Sequence, residues 1–294
     1  MDGYTTGIIT LLAINCIAAL GVSLFTGFTG VFTLGHAGYM AIGAYTAAIL
    51  TVQYEVHFIG AIIAGGIVAM IFAYLIGIPT LKLVGDYYTI ASLGLGEAIR
   101  LVIENWESVT RGARGYPGIE NYSSMSVAVG FLLVMGAGMF FLVNSNYGRA
   151  FKACRDDYVA ASLLGFNTAR FRVFSLAISG FYCGVSGALL GGFMSFIQPV
   201  MFDMAKSTEL VSIVVFGGLG SMSGCLIGTT ILTLVTELFR PISQYRMLVY
   251  GLVLVLVMVL RPEGIMGTSE LTKDYIKNIF TRRKKITAAD GGAR

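Results

Sequence analysis

Long uncharged runs of apolar residues, parted by short polar stretches, make up most of this chain. The runs "GIITLLAINCIAALGVSLFTG" (7–27) and "MLVYGLVLVLVMVL" (247–260) contain no charged side chain. A helix needs roughly 20 apolar residues to cross about 30 Å of hydrocarbon. The first run is long enough, and the second must extend into the turn before it. Apolar windows predict spanning helices near 7–27, 35–52, 58–79, 87–103, 125–143, 173–197, 207–239 and 245–260. No basic segment precedes Gly7, so the first run is expected to stay as a span and not to be cleaved as a leader. The pattern predicts an all-α integral membrane protein, a polytopic helical bundle of about 8–10 transmembrane helices with broken or re-entrant glycine-rich segments.

Two of these windows carry their own interruptions. Two full crossings need about 60 Å of helix, whereas 207–239 supplies about 50 Å at 1.5 Å per residue. Within it "GGLGSMSG" (217–224) is a helix breaker. A break at membrane depth survives only where protein or water satisfies the freed backbone groups, which makes Gly217, Gly218 and Gly220 candidates for a gate or pathway. The same reasoning applies to "GFTGVFTLGHAGYMAIGAY" (27–45), where Gly35, His36, Gly43 and Tyr45 are the candidates.

Composition agrees with a bilayer setting: 56% of the 294 residues are apolar and 12% charged, a balance no single water-soluble core hides. Lys and Arg concentrate in 146–172 and in the tail from Arg261, which ends "TRRKKITAADGGAR". Both regions are expected to face the cytoplasm. This divides the chain into a membrane-spanning part, 1–267, and a basic cytoplasmic tail, 268–294. The loop "ENWESVTRGARGYPGIENYSS" (104–124) falls outside by alternation; a re-entrant turn in 27–45 would leave the N-terminus open to either side, and only the lack of a base in residues 1–6 leans it outside. Between the two cytoplasmic regions the crossings must be even in number. The windows give three, and 207–239 is the element expected to resolve the mismatch.

Hydrolytic machinery is missing from the pattern. "GGLGSMSG" lacks the Lys followed by Ser or Thr of a phosphate-binding loop, since Cys225 and Leu226 come next. His36 and His57 are the only histidines, and the four cysteines have no metal-ligand spacing, so neither a metal site nor a disulfide framework is expected. Glu97 and Arg100 lie three apart on one predicted helix, where mutual pairing is the plainer reading and a place in the solute path the sharper one for Glu97. The 38 glycines are expected mostly to let helices pack closely.

The polar stretch "ACRDDYVAASLLGFNTARFR" (153–172) interrupts this apolar chain. Residues 149–165 are predicted to form one short amphipathic helix stopped by Gly165, with Val159, Leu163 and Phe166 on one face and Arg155, Asp156 and Ser162 elsewhere. On these residues alone, a connector resting on headgroups and a docking element for a partner stand nearly even. "VAASLLG" (159–165) resembles the EAAxxxG loop of ABC importer permeases, matching at Ala160, Ala161 and Gly165, with Val159 in place of the usual acid. The frame "SNYGRAFKACRDDYVAASLLGFNT" is similar to the corresponding loop of branched-chain amino-acid ABC transporter permeases of the LivM type. So are "LGHAGYMAIGAYTAAIL", "GDYYTIASLGLGEAIRLVIENW", "ARGYPGI", "FSLAISGFYCGVSGALLGG", "VVFGGLGSMSGCLIGT" and "LRPEGIMG", in the family's order from about residue 10 to 267. "TRGARGYPGI" departs from the family's Thr-Gly-Gly start at Arg111.

The resemblance implies a permease subunit in the bacterial cytoplasmic (inner) membrane. Its expected partners are a second, LivH-like permease, two cytoplasmic ATPases that use the ATP, and an extracytoplasmic solute-binding protein. The chain itself would be no enzyme and hold no cofactor. The loop 146–172 would be the coupling element, with Arg149 and Arg155 bridging to acidic groups on the ATPase. Permeases for urea or short amides are close rivals within the same class. A stand-alone channel or ion-coupled carrier is the rival outside it, and the absence of a chain of intramembrane acids or histidines argues against it.

Overall fold

The computed structural model describes residues 3–83 and 85–238, with positions 251, 255, 259, 264, 265 and 267. Helix α1 (Gly3–Val22) runs on as a π-helical turn, Ser23–Phe28. After an extended link come α2 (His36–Gln53), α3 (Phe58–Thr80) and α4 (Asp86–Asn105). The short α5 (Glu107–Thr110) and strand β1 (Tyr116–Pro117) precede α6 (Met125–Asn144). Then follow α7 (Asn146–Asp156), α8 (Tyr158–Leu163) and α9 (Thr168–Met194). Strand β2 (Phe196–Ile197) pairs antiparallel with β1 and leads through a 3₁₀ turn, Pro199–Phe202, to α10 (Met204–Gly217) and α11 (Met222–Leu238). Among the described residues four segments, Gly3–Phe28, α3, α6 and α9, are long and apolar enough to cross a membrane. Helices α2, α4, α10 and α11 are shorter or more polar and complete the bundle.

Helix α9 is the axis, and small residues put it there. Carbonyls and α-carbons of neighbouring helices lie where a side chain at Gly43, Gly180, Gly184 or Gly187 would stand, so α2 and α3 reach α9 backbone to backbone. In lipid no hydrophobic force separates protein from solvent, and such close van der Waals contact is what holds helices together. Hydroxyls add cross-links: Ser186 Oγ donates to the Ile14 carbonyl at 2.9 Å, and Tyr182 Oη to the Met135 carbonyl at 2.8 Å. Other hydroxyls turn back on their own helices, as Thr51 does to Ala47 and Thr229 to Cys225, which satisfies them within the helix.

These contacts give the helix directions. Gly7 meets Phe193 while Gly21 meets Tyr182, so α1 runs opposite to α9. Helix α2 runs with α9, from His36 beside Ser179 to Ala44 beside Gly191. Helix α3 runs against it, from Gly66 beside Val185 to Gly77 beside Leu176. The start of α1 thus lies at the end of the bundle opposite α7 and α8. Charge bias leads one to expect the α7–α8 end to be cytoplasmic, and inner and outer are named on that basis. The β1–β2 pair closes that outer face.

The window 207–239 resolves into two helices, α10 and α11, which turn back on each other at Gly218–Ser221. The parity mismatch is thereby removed. Gly264, Ile265 and Gly267 lie against this same turn, with Ile265 N–H bonded to the Phe216 carbonyl at 3.0 Å, so the chain has come back to the inner side by that point. Most of the window 245–260 and the basic tail 268–294 lie outside the described residues.

Candidate functional site

Two glycine-rich breaks, distant in sequence, meet at the inner end of the bundle. One follows α1 at Gly27–Gly35, and the other separates α10 from α11 at Gly218–Ser221. A Cβ on Gly27 would stand 2.7 Å from the Gly220 amide nitrogen, so the two backbones touch only because Gly27 has no side chain. Gly217 is likewise pressed on the Gly224 carbonyl and the Cys225 α-carbon, and Gly228 on Gly217. Gly218 and Gly220 have φ of +118° and +88°, a region that side chains rarely enter. The second break then closes its own turn, with Ser221 Oγ accepting from Gly224 N–H at 3.1 Å as a helix cap.

Helix α7 reaches into this junction. Arg155 lies in a bay left by Gly30 and Gly220, with its guanidinium Nη1 3.4 Å from the Gly27 carbonyl. Beside it, the Lys152 ammonium sits 5.6 Å from the centre of the Phe28 ring. The sequence assigns Arg155 to an ATPase partner, which these contacts leave untested. Its side chain turns towards the bundle, and its other edge pairs with Asp156 at 3.0 Å. The physical reason is space, since two missing side chains make a bay for the arginine stem that the sequence pattern of α7 alone does not show. Arg149 stays at the surface, bonded to Asn146.

The single helix predicted for 149–165 is two. Asp157 ends α7 with extended backbone, and its carboxylate accepts from Val159 N–H at 2.8 Å and Ala160 N–H at 3.0 Å, capping α8. Gly165, at φ +88°, stops α8 and lets Phe166 N–H bond back to the Ala161 carbonyl at 3.1 Å. Ala161 is buried against the bundle and Ala160 is open. Val159, Leu163, Leu164 and Phe166 are exposed, with Leu163 83% accessible. This apolar, uncovered face points away from the bundle.

Above the junction a polar seam runs between the helices. His36, fully buried at the start of α2, shares a 2.7 Å hydrogen bond between Nε2 and Ser179 Oγ, while its Nδ1 has no partner among the described residues. Gly35 packs on the Ser92 carbonyl, and Leu34 N–H donates to Ser92 Oγ at 3.1 Å. Glu97 pairs with Arg100 at 2.7 Å, and its second oxygen accepts from Met204 N–H at 3.1 Å, capping α10 from across the bundle. Gly43 is sealed between the backbones of α3 and α9, a packing position, and the Tyr45 hydroxyl is buried without a partner among the described residues.

Sequence reading missed the charges of α10. Lys206 Nζ lies 3.2 Å from Glu209 Oε2 and 3.4 Å from Asn15 Oδ1, and Ser207 Oγ accepts from Ala37 N–H at 3.1 Å. The predicted span began at 207, so Asp203 and Lys206 read as loop. A capping signal was present, because Asp203 Oδ1 accepts from Lys206 N–H at 3.1 Å. In the outer loop Arg111 takes φ +62°, a glycine-favouring conformation, and its guanidinium covers the Tyr116 ring at 4.9 Å. Its departure from the family pattern therefore falls where the backbone itself asks for glycine.

Residues 4–258 match the family described as the permease component of the branched-chain amino acid transport system. The chain is 31% identical to the high-affinity branched-chain amino acid transport system permease protein LivM of Escherichia coli K12, over 89% of this chain and 70% of the relative. It is 28% identical to the LivH protein of Salmonella typhimurium, over 90% and 95%, and 25% identical to BraD of Pseudomonas aeruginosa, over 93% and 96%. No solved structure matches it.

Proposed function

The chain belongs to the family of branched-chain amino acid transport permeases, and from that premise we propose that it forms the membrane passage of an ATP-driven importer for branched-chain amino acids in the bacterial inner membrane. It pairs there with a second, LivH-like permease. Two cytoplasmic ATPases supply the energy, and an external binding protein delivers the solute and sets most of the selectivity. The chain binds no ATP itself.

One observation carries the coupling reading: α7 is clamped by Arg155 to the point where both glycine breaks touch. The ATPase grips the exposed apolar face of α8. Its movement passes through the Asp157 hinge to α7, and from there to Gly27 and Gly220 together. Because these backbones are in contact, neither break moves without the other. Arg149 remains available for an acidic group on the ATPase, whereas Arg155 serves the internal link.

The test is reconstitution with the second permease, the two ATPases and the binding protein, followed by uptake of leucine, isoleucine and valine against urea and acetamide. ATP-dependent uptake of the amino acids is the expected result. Uptake of urea or the amide alone, or uptake by the lone chain without ATP, overturns the proposal.

A further inference from the structure

A groove of about 700 Å³ opens on the outer flank of the bundle at its inner end. Helix α3 contributes Tyr74 and Ile78, with Lys82 just beyond its end, α7 contributes Tyr147, and α9 contributes Arg170 and Phe174. The volume falls within the roughly 300–1,000 Å³ of sites that hold a small organic ligand. Tyr74, Ile78 and Phe174 are each between 42% and 48% exposed, on helices long and apolar enough to span, so the upper part of the groove lies at hydrocarbon depth. Lys82 and Arg170 lie at its lower rim, on the side of the basic α7–α8 loop. Neither has a carboxylate partner among the described residues. The acids on the nearby loop are engaged: Asp156 holds Arg155, and Asp157 caps α8.

We propose that this groove is a binding site for one anionic phospholipid of the inner leaflet, its headgroup between Lys82 and Arg170 and an acyl chain along Tyr74 and Phe174. Two unpaired cations under an apolar channel complement a negative headgroup on a hydrocarbon tail, and the cytoplasmic leaflet is where anionic lipids gather basic side chains. Tyr147, on α7 at the lower end of the groove, suits the headgroup boundary. An ATPase stays in water and does not reach Tyr74 or Phe174 within the membrane. A second permease would bury the apolar wall but leave both cations unanswered.

The site touches the coupling loop. The Tyr147 ring lies 5.7 Å from Phe174 and 6.4 Å from Phe171, and Phe171 packs on Phe151 of α7 at 6.2 Å. A lipid in the groove therefore braces α7 against α9. This corollary rests on the coupling reading above, whereas the binding claim does not.

Native mass spectrometry of the purified full chain, titrated with phosphatidylglycerol and with phosphatidylcholine, tests the binding claim without any transport partner. Two cations facing one anionic headgroup give an expected preference of roughly 30-fold for phosphatidylglycerol. The K82Q/R170Q double variant is expected to lose that preference, while R114Q in the outer loop keeps it. Equal binding of both lipids, or an undiminished preference in K82Q/R170Q, overturns the proposal. Displacement of the lipid by millimolar inorganic phosphate also overturns it, because the site would then recognise a free anion. If K82Q/R170Q does not fold, a benzophenone amino acid in place of Phe174 decides the matter in native membranes. Lipid adducts support the site, and adducts to a second protein chain refute it.

Discussion

The two glycine-rich breaks do similar work by different means. The break after α1 is tied down by another helix: α4 supplies Ser92 Oγ to Leu34 N–H, and Thr89 Oγ1 donates to the Phe32 carbonyl at 3.2 Å. The break between α10 and α11 is tied down by itself, through the Ser221 cap and the close packing of Gly217 on Gly224. Gly264, Ile265 and Gly267 cover it from outside. One break is thus held by a neighbouring helix, while the other is a rigid corner. Arg155 joins the two. The two breaks are in backbone contact and held by different means, and α7 touches both.

The rigid corner is the more fragile of the two to added bulk. G217V would drive side-chain atoms into the Gly224 carbonyl and Cys225, costing about 3 kcal/mol or more. The expected outcome is little folded protein in a detergent thermal-unfolding assay. G27A presses a single methyl on Gly220 and should cost about 2 kcal/mol, leaving a folded but less stable chain. Equal losses in the two variants would erase the distinction between corner and link.

Removal of the join should uncouple without unfolding. In the reconstituted complex R155A is expected to lower uptake at least tenfold while ATP hydrolysis continues, with thermal stability changed by about 1 kcal/mol or less. Uptake at the wild-type level in R155A would detach α7 from the breaks. Smaller effects sharpen the contrast further. S92A and S221A should each cost about 1 kcal/mol by removing the hydroxyl that accepts from a backbone N–H, of Leu34 and of Gly224 respectively. Only S92A loosens α4, so only S92A should alter the emission of Trp106, the chain's single tryptophan, which follows α4 directly. A shift in both variants, or in neither, would count against the cross-helix tether.

The smallest effect concerns Cys154 of α7. Burial pushes its thiol above the usual range, and nearby Arg172 only partly opposes this. The thiolate is the reactive form. Maleimide labelling at pH 7–8 is therefore expected to be slow at rest and to rise with pH and with α7 displacement during ATP turnover. Rapid labelling at rest would mean that α7 does not sit on the bundle as described.

Local rules account for what was legible in the chain itself. Hydrocarbon thickness fixes how many apolar residues make a span, so α1, α3, α4 and α6 begin and end within a few residues of the predicted windows. Charge bias places 146–172 on one side, and glycine content marks both breaks. Gly165 as a helix stop was equally readable, because the demand for positive φ is local. The Asp157 cap that divides α7 from α8 was readable in principle too, but the amphipathic pattern across 149–165 hid it.

Only the tertiary structure brought Gly27 to Gly220, turned Arg155 into their bay, and set Glu97 at the start of α10, 107 positions along the chain. Periodicity reports which face of a helix is apolar but not which helix it will meet, and in lipid nearly every face is apolar. The partners were chosen by backbone fit at small residues, which depends on the whole bundle. For this protein the sequence determined the spans and the weak points, and the packing decided how those weak points are joined.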